Sequence, residues 1–261
     1  MHSDTKYEGT PFEHFLDEGL IEGVIRPIKG GKEASVHLCR ANPSTTGKRL
    51  AALKAYHPLD RRNFHDESLY RDGEWIKERR VRVALEKKTR FGRQVQGGIW
   101  VDREWEALQL LSNAGAAVPR PIARTEDAIL MSYVGDEDDP APQLRSCRLD
   151  RAEAEGLFAQ LRGEIELMLL HNVVHGDLSP YNVLVWNGLV TIIDLPQAVD
   201  PRKNRHAQTL LERDVHRICE HFARFGVPSA PEVVSQDLWT AWTFADLWVE
   251  PSDVDGVGIV E

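Results

Sequence analysis

The sequence predicts an α+β fold with two lobes: a small N-terminal lobe made of a sheet plus one helix, and a larger, mainly helical C-terminal lobe. Short β-prone segments bounded by Gly, Pro, Asn or Ser come first, at 24–28, 34–39 and 50–56. Helical periodicity then dominates, at 102–114, 151–170 and 205–225. The 261 residues contain no internal repeat, and this length suits one domain or two tightly joined lobes.

Composition excludes several classes of protein. The chain is 42% apolar, enough to form a core, and its formal net charge of -9 gives no general attraction to nucleic acid or anionic membranes. Its three cysteines are far apart, which excludes a disulfide framework and a zinc knuckle. No apolar run approaches the ~20 residues that span a bilayer, and the opening residues do not resemble a signal peptide. We therefore expect a cytoplasmic protein with no membrane partner.

One stretch departs from the acidic average. Residues 61–93 carry 11 Lys or Arg against 6 Asp or Glu. The simpler interpretation is a solvated loop or exposed helix, and the alternative is a contact with a polyanion such as RNA. We divide the chain into an N-terminal extension, an N-terminal lobe with a polar insert at 57–98, a C-terminal lobe, and an acidic helix and tail, with bounds 1–19, 20–134, 135–226 and 227–261.

Polar residues at two of the predicted helices are informative. In 102–114, Glu104 shares the stripe of apolar side chains that lie at helical spacing, and a carboxylate on an inward face needs a partner. Gly115 follows this helix at the position where a left-handed residue is expected to end it. Before the helix at 151–170, Asp150 and Glu153 have the spacing of a capping box, in which each side chain bonds the backbone of the other.

An Asn-Gly turn between two β-prone runs predicts a hairpin over 183–193. Folding the chain back brings Asn182 and Asp194 to the same open end of the ribbon. A two-residue turn sets Asn182 opposite Ile193, so we expect Asn182 to belong to the preceding loop. A last helix is expected to begin near Ser235 and to pack its tryptophans on the core.

The densest polar motif is His-Gly-Asp-Leu-Ser-Pro-Tyr-Asn at 175–182, followed by Asp194 after the hairpin. Phosphoryl transfer needs a carboxylate to orient a nucleophile and accept its proton, and separate oxygen ligands to hold Mg²⁺ against the phosphates. Asp177 is a candidate for the first task, and Asn182 and Asp194 for the second. Order, spacing and the intervening hairpin match the catalytic loop and metal-binding strand of kinases.

Two upstream residues complete this pattern. Lys54 lies on an apolar strand, and Glu104 lies on the apolar stripe of a helix. Kinases use such a Lys-Glu ion pair to hold the α- and β-phosphates of ATP. The sequence therefore predicts that Lys54 and Glu104 pair in a two-lobed protein-kinase-like fold.

Several of these motifs together resemble the RIO family of atypical serine/threonine protein kinases. The resemblance covers roughly residues 20–226. It includes Gly-Gly-Lys-Glu-Ala-Ser-Val at 30–36, the polar insert after Lys54, Asp-Arg-Glu-Trp at 102–105 with Ala-Val-Pro-Arg-Pro-Ile at 117–122, and the motif at 175–182 through Ile193 and Asp194.

The resemblance implies ATP and Mg²⁺ as cofactors and a role for each matching residue. Catalytic roles fall to Asp177, Asp194, Lys54 and Glu104, with Asn182 and Asp194 as the metal ligands. The residues near the nucleotide would be Lys32, Glu33, Ser35, Val36, Lys54, Met131, Ser132, Val134, Asn182 and Asp194. Within this set, Met131 would back the adenine pocket, while Ser132 and Val134 would offer backbone groups to the base.

Several phosphoryl acceptors are compatible with the sequence. Leu195-Pro196 replaces the Phe-Gly that follows the metal aspartate of ordinary kinases, and the usual peptide platform is missing. The main hypothesis is a RIO-type kinase or ATPase that transfers the γ-phosphoryl group of ATP to Ser or Thr, to its own Asp194, or onward to water. One alternative is a small-molecule phosphotransferase of the aminoglycoside or choline kinase type. Another is an ATP-gated ribosome-assembly factor that binds RNA or a ribosomal partner through 61–93.

Overall fold

The protein is described by a computed structural model that covers residues 9–31, 33–57 and 90–248. Its N-terminal part is a five-stranded antiparallel sheet in the order β1-β2-β3-β5-β4. The strands are β1 Ile21–Gly30, β2 Ala34–Ala41, β3 Leu50–Tyr56, β4 Pro121–Arg124 and β5 Ala128–Ser132. The three predicted N-terminal strands are present as β1, β2 and β3, and the sheet also contains β4 and β5.

Alternation along β3 gives the sheet two different faces. Ala51, Leu53 and Ala55 belong to a small core cluster that also contains Phe15, from the N-terminal helix described below. Ala52 and Tyr56 belong to the main core cluster instead. Because Lys54 lies between Ala52 and Tyr56 in the alternation, its side chain emerges on the face that looks toward the C-terminal part of the chain.

Six α-helices lie within the described residues. They are α1 Glu13–Asp17, α2 Pro43–Thr46, α3 Arg90–Asn113, α4 Arg151–Leu170, α5 Ala207–Ala223 and α6 Pro231–Trp248. A short 3₁₀ turn, Leu144–Ser146, follows the connector between the two parts.

Two helices begin earlier than the sequence predicts. Helix α3 starts at Arg90 instead of about residue 102, because its first turns include glycines and polar residues that carry no amphipathic pattern. Helix α6 starts at Pro231 instead of near Ser235. Proline suits the first turn of a helix because backbone N–H groups at that position have no acceptor within the helix, so the lack of an N–H costs nothing.

The other local predictions for the helices are confirmed. The Asp150 side chain accepts from the Glu153 amide at 2.8 Å, and the Glu153 side chain accepts from the Asp150 amide at 2.9 Å. Gly115 has a φ of 80°, the left-handed conformation that ends α3. Trp239 and Trp242 of α6 pack against the main core.

The predicted hairpin is also present, as β6 Val183–Trp186 and β7 Leu189–Ile192. Val183 pairs with Ile192, and the Ile193 amide donates to the Asn182 carbonyl at 3.0 Å just beyond the ladder. Asn182 thus ends the preceding loop, as predicted, and Asp194 lies near it on the returning chain.

The predicted lobe boundaries stay predictions. Most of the insert at 57–98, and with it most of the basic segment 61–93, lies outside the described residues, as do 1–8 and 249–261. Within the described residues, no helix has the length and apolar character required to cross a bilayer.

Candidate active site

A cleft of about 1360 Å³ separates the N-terminal sheet from the C-terminal helices. Its walls come from β1, β2, β3, α3, the connector after β5, the loop at 175–182, the residues that follow β7, and α5. Of the residues singled out in the sequence, those in its lining are Glu33, Val36, Lys54, Glu104, Met131, Ser132, Val134, Asp177, Asn182 and Asp194.

Lys54 lies at the centre of an ion-pair cluster deep in this cleft. Its Nζ donates to both carboxylate oxygens of Glu104, at 2.8 and 2.7 Å, and to Asp194 Oδ1 at 2.6 Å. Glu104 is 1% exposed and Lys54 is 9% exposed. The ion pair predicted between Lys54 and Glu104 is therefore present, and the returning chain adds a second carboxylate to it.

Two further groups hold the Glu104 carboxylate in place. The Tyr56 hydroxyl donates to Glu104 Oε2, and the Leu195 amide donates to Glu104 Oε1 at 3.3 Å. Lys54 Nζ also lies 5.1 Å from the centroid of the Tyr56 ring, within reach of a cation–π contact. The inward carboxylate of α3 thus joins β3 to the chain after β7.

The cluster shifts the pKa values of its members in opposite directions. Burial alone would lower the pKa of Lys54, but the carboxylates of Asp194 and Glu104 outweigh it and raise that pKa. Burial raises the pKa of Glu104, although Lys54 offsets part of this effect. For Asp194, Lys54 outweighs the opposing effect of burial and holds the pKa below its usual value. The Lys54 ammonium is therefore charged at neutral pH.

Hydrogen bonds of its first and last residues stabilise the loop at 175–182. His175 is buried, and its Nδ1 accepts from the Asp177 amide at 3.2 Å, so Nε2 carries the proton and donates to the Ile193 carbonyl at 3.1 Å. Burial lowers the pKa of His175, which keeps the ring neutral. At the other end, Asn182 Nδ2 donates to the Asp177 carbonyl at 3.0 Å.

The glycine-rich turn between β1 and β2 matches its prediction in part. Glu33 and Val36 line the cleft, but the Ser35 hydroxyl lies 3.0 Å from His37 Nε2. Alternation along β2 accounts for this, because residues 35 and 37 share the face opposite to 34 and 36. The structure therefore does not bring Ser35 to the cleft, contrary to expectation. Lys32 lies outside the described residues.

The connector after β5 presents backbone groups to the cleft. The Ser132 amide donates to the Arg120 carbonyl at 2.8 Å, and the Val134 carbonyl accepts from the Ala141 amide at 3.0 Å. The groups that could meet an adenine ring are therefore the Ser132 carbonyl and the Val134 amide. Met131, 8% exposed, lines the cleft just before them.

The donor set suits a magnesium-nucleotide complex. Asp194 and Asn182 offer a carboxylate and an amide oxygen, which are hard oxygen ligands of the kind Mg²⁺ takes together with phosphates. Within the described residues, no group of three or more His, Cys, Asp or Glu side chains could hold a metal ion by itself. The site thus fits an ion that is shared with a phosphorylated ligand, with Lys54 as the neighbouring cation.

Comparison with known proteins identifies the family of this chain. The sequence model of the RIO domain matches residues 41–234, which include β3, β4 and β5 of the sheet, α3, the loop at 175–182 and α5. The chain belongs to the RIO domain family. The resemblance noted in the sequence is therefore confirmed.

Two curated relatives with similar sequences are RIO-type kinases. The Rio1 serine/threonine-protein kinase of Thermoplasma acidophilum is 34% identical over 149 residues, which cover 57% of this chain and 77% of the relative. The human RIO1 kinase is 31% identical over 213 residues, 81% of this chain but 35% of the human protein. The RIO-domain chain thus spans only about a third of the human relative.

A solved structure shares the predicted fold. The Rio2 kinase of Chaetomium thermophilum, crystallised as an ADP/Mg²⁺-phosphoaspartate complex, superposes with a TM-score of 0.65. The match covers 87% of this chain and 64% of that chain at 20% sequence identity. The two-lobed α+β fold predicted from the sequence is confirmed.

Two residues of the site were missed in the sequence. Tyr56 follows Lys54 by two positions on a strand, so alternation alone places both side chains on one face and could have indicated it. Arg217 on α5 donates to Asp177 Oδ1 at 2.8 Å. No local signal marks Arg217, because its partner is 40 residues away along the chain.

Proposed function

We propose that this RIO-domain protein is a Mg²⁺-dependent phosphotransferase that moves the γ-phosphoryl group of ATP to serine or threonine hydroxyls of a protein. One observation carries the proposal: Lys54 Nζ contacts both Glu104 and Asp194 within 2.8 Å, in the cleft that Asp177 also lines. Protein kinases hold ATP with a lysine that is paired to a helix glutamate and with Mg²⁺ bound to an aspartate, and this cluster brings the three side-chain types together.

Binding of ATP is assigned to the N-terminal wall and the connector. The base would meet the Ser132 carbonyl and the Val134 amide in front of Met131, while Glu33 and Val36 would border the nucleotide. Lys54 would turn from Asp194 toward the phosphates and keep its bond to Glu104. This exchange requires only that one of the two carboxylates on Lys54 be replaced by phosphate oxygens.

Asn182 and Asp194 would hold Mg²⁺, which neutralises charge on the phosphates when it is bound. Asn182 is already positioned for this, because its Nδ2 donates to the Asp177 carbonyl and its side-chain oxygen lies at the other end of the amide. Its main-chain carbonyl is fixed by the Ile193 amide. The protein therefore orients the amide ligand before any nucleotide arrives.

Asp177 would orient the acceptor. The acceptor hydroxyl gives its proton to the Asp177 carboxylate as its oxygen bonds the γ-phosphorus, and the bond from that phosphorus to the bridging oxygen breaks, leaving the electron pair on ADP. Residues 177 and 194 belong to separate segments joined by the hairpin. The roles of base and metal ligand thus fall to different carboxylates.

The experiment is transfer of radiolabel from [γ-³²P]ATP to dephosphorylated casein by the wild-type protein, Asp177→Asn and an exposed control, Asp127→Asn. We expect Asp177→Asn to lose transfer by about 10²-fold or more while its affinity for ATP, measured by calorimetry, stays near that of wild type. An equal loss of ATP affinity would show structural damage, and unchanged transfer would refute the role of Asp177.

A second candidate activity is phosphorylation of Asp194 itself, followed by hydrolysis. It is favoured by the 42% exposure of the Asp194 side chain to the cleft and by the phosphoaspartate in the related Rio2 structure. Mass spectrometry after incubation with ATP separates the candidates, since an acyl phosphate on Asp194 is cleaved by hydroxylamine and a phosphoserine is not.

A contact between the basic segment 61–93 and RNA is a separate proposal, supported by its local charge. Binding of a generic RNA should then weaken steeply with salt, and a variant with neutralised arginines in the segment should lose that dependence. Equal binding by both proteins would contradict it.

A further inference from the structure

Helix α5 reaches the loop at 175–182, the proposed catalytic loop, through two arginines that are one helical turn apart. Arg213 donates to the Gly176 carbonyl, and Arg217 Nη1 donates to Asp177 Oδ1 at 2.8 Å. Asp214 lies buried between them, with its Oδ1 3.5 Å from Arg213 Nη2 and 4.0 Å from Arg217 Nη1. The helix thus fixes consecutive residues of the loop, one by its backbone and the next by its side chain.

The contact between Arg217 and Asp177 has little importance for folding. The two side chains are 38% and 42% exposed, and an ion pair this open contributes about 0–1 kcal/mol to stability. Both residues line the cleft. Because this contact adds little to stability but involves the carboxylate proposed to accept the proton, its main effect is expected on that carboxylate.

The effect follows from the shape of a carboxylate. Rotation about the last bond of an aspartate is broad, so Asp177 without a partner would sample many orientations of its two oxygens. Arg217 engages Oδ1 only, which leaves Oδ2 as the oxygen to receive a proton. Displacement of a reacting group by about 1 Å can cost 10²-fold in rate, so fixing one oxygen has a large potential effect.

We propose that Arg217 is a positioning residue that holds Asp177 with Oδ2 toward the acceptor hydroxyl. The inference rests on the phosphotransferase function proposed above and adds a residue to it. Arg217 acts through Asp177, so its removal should lower turnover without changing the affinity for ATP.

A double-mutant cycle tests this role. Single-turnover transfer of ³²P from ATP to dephosphorylated casein is measured for wild type, Arg217→Gln, Arg217→Lys, Asp177→Asn and the double variant Arg217→Gln/Asp177→Asn. Excess enzyme makes the slow variants measurable. Arg162→Gln, an exposed arginine on α4, is the matched control, and thermal melting checks that each variant is folded.

We expect Arg217→Gln to lower the transfer rate by about 10- to 100-fold with an unchanged KM for ATP, and Arg217→Lys to restore part of it. In the Asp177→Asn background, Arg217→Gln should add less than a twofold loss, because the oxygen that it orients no longer accepts a proton. Full activity of Arg217→Gln, or losses that multiply in the double variant, would overturn the role. Absence of transfer in the wild type would instead reject the proposed function.

Discussion

Replacement of Glu104 by glutamine tests the ion-pair cluster most directly. The Glu104 carboxylate receives the Lys54 ammonium on both oxygens, the Tyr56 hydroxyl on one and the Leu195 amide on the other. Glutamine keeps the size of the side chain, but it loses the charge and turns one acceptor into a donor that faces the ammonium. Lys54 would then pair with Asp194 alone.

The magnitude follows from what remains around Lys54. Removing one partner of a buried ion pair costs about 3–5 kcal/mol, and this is the upper bound. Asp194 stays 2.6 Å from Lys54 Nζ, so part of the interaction survives and we expect the free energy of unfolding to fall by about 1–3 kcal/mol. In the proposed reaction, Lys54 of the variant would have to leave Asp194 without the support of Glu104. A loss of about 3 kcal/mol there corresponds to about 10²-fold in kcat/KM.

Urea unfolding and initial rates of ATP turnover measure the two effects. The control is Glu106→Gln, which makes the same chemical change on an exposed position of α3. If Glu104→Gln and Glu106→Gln were alike in both stability and kcat/KM, the reasoning about the buried cluster would be refuted.

Four further outcomes are expected. Asp194→Asn should lower turnover by about 10²–10³-fold, measured as ADP release, because a charge is lost from a preorganised site. Tyr56→Phe removes a hydroxyl donor from a buried carboxylate and should lower the free energy of unfolding by about 1–3 kcal/mol in urea titrations. Burial raises the pKa of Asp214 to about 7, above its unfolded value of about 3.9. The folded protein therefore keeps the proton on Asp214 more tightly than the unfolded chain, and the free energy of unfolding should fall as pH rises from about 4 to 7. Asp214→Asn should reduce this pH dependence, measured as thermal melting at pH 5 and 8. Gly135→Ala should raise the KM for ATP in rate measurements, because the new Cβ would lie 2.5 Å from the Asp139 carbonyl and force the connector to shift.

Much of the fold is encoded locally and was therefore predictable. The capping box at Asp150, the Asn-Gly hairpin and the left-handed Gly115 each depend on residues within a few positions of one another. Glu104 was recognisable because a carboxylate on an apolar stripe demands a partner. Lys54 could be predicted as its partner only from the set of residues that phosphoryl transfer requires, because no pattern near Lys54 in the sequence indicates the contact.

The misses have two physical causes. The early turns of α3 and the start of α6 lack the periodic apolar pattern from which helices are predicted, so their limits depend on tertiary packing. Ser35 was assigned to the nucleotide from its place in a motif, whereas strand alternation turns it toward His37. Arg217 required knowledge of how α5 packs against the catalytic loop, which no spacing in the sequence encodes.

The backbone of Asp194 restricts how this site can change. Its φ is 71°, a left-handed conformation in which aspartate and asparagine are several-fold enriched among non-glycine residues. An alanine or valine there would carry a backbone penalty of about 1–2 kcal/mol besides the lost oxygen atoms. Replacement of Asp194 by alanine would consequently overstate what the carboxylate contributes, whereas asparagine and glycine tolerate this backbone conformation.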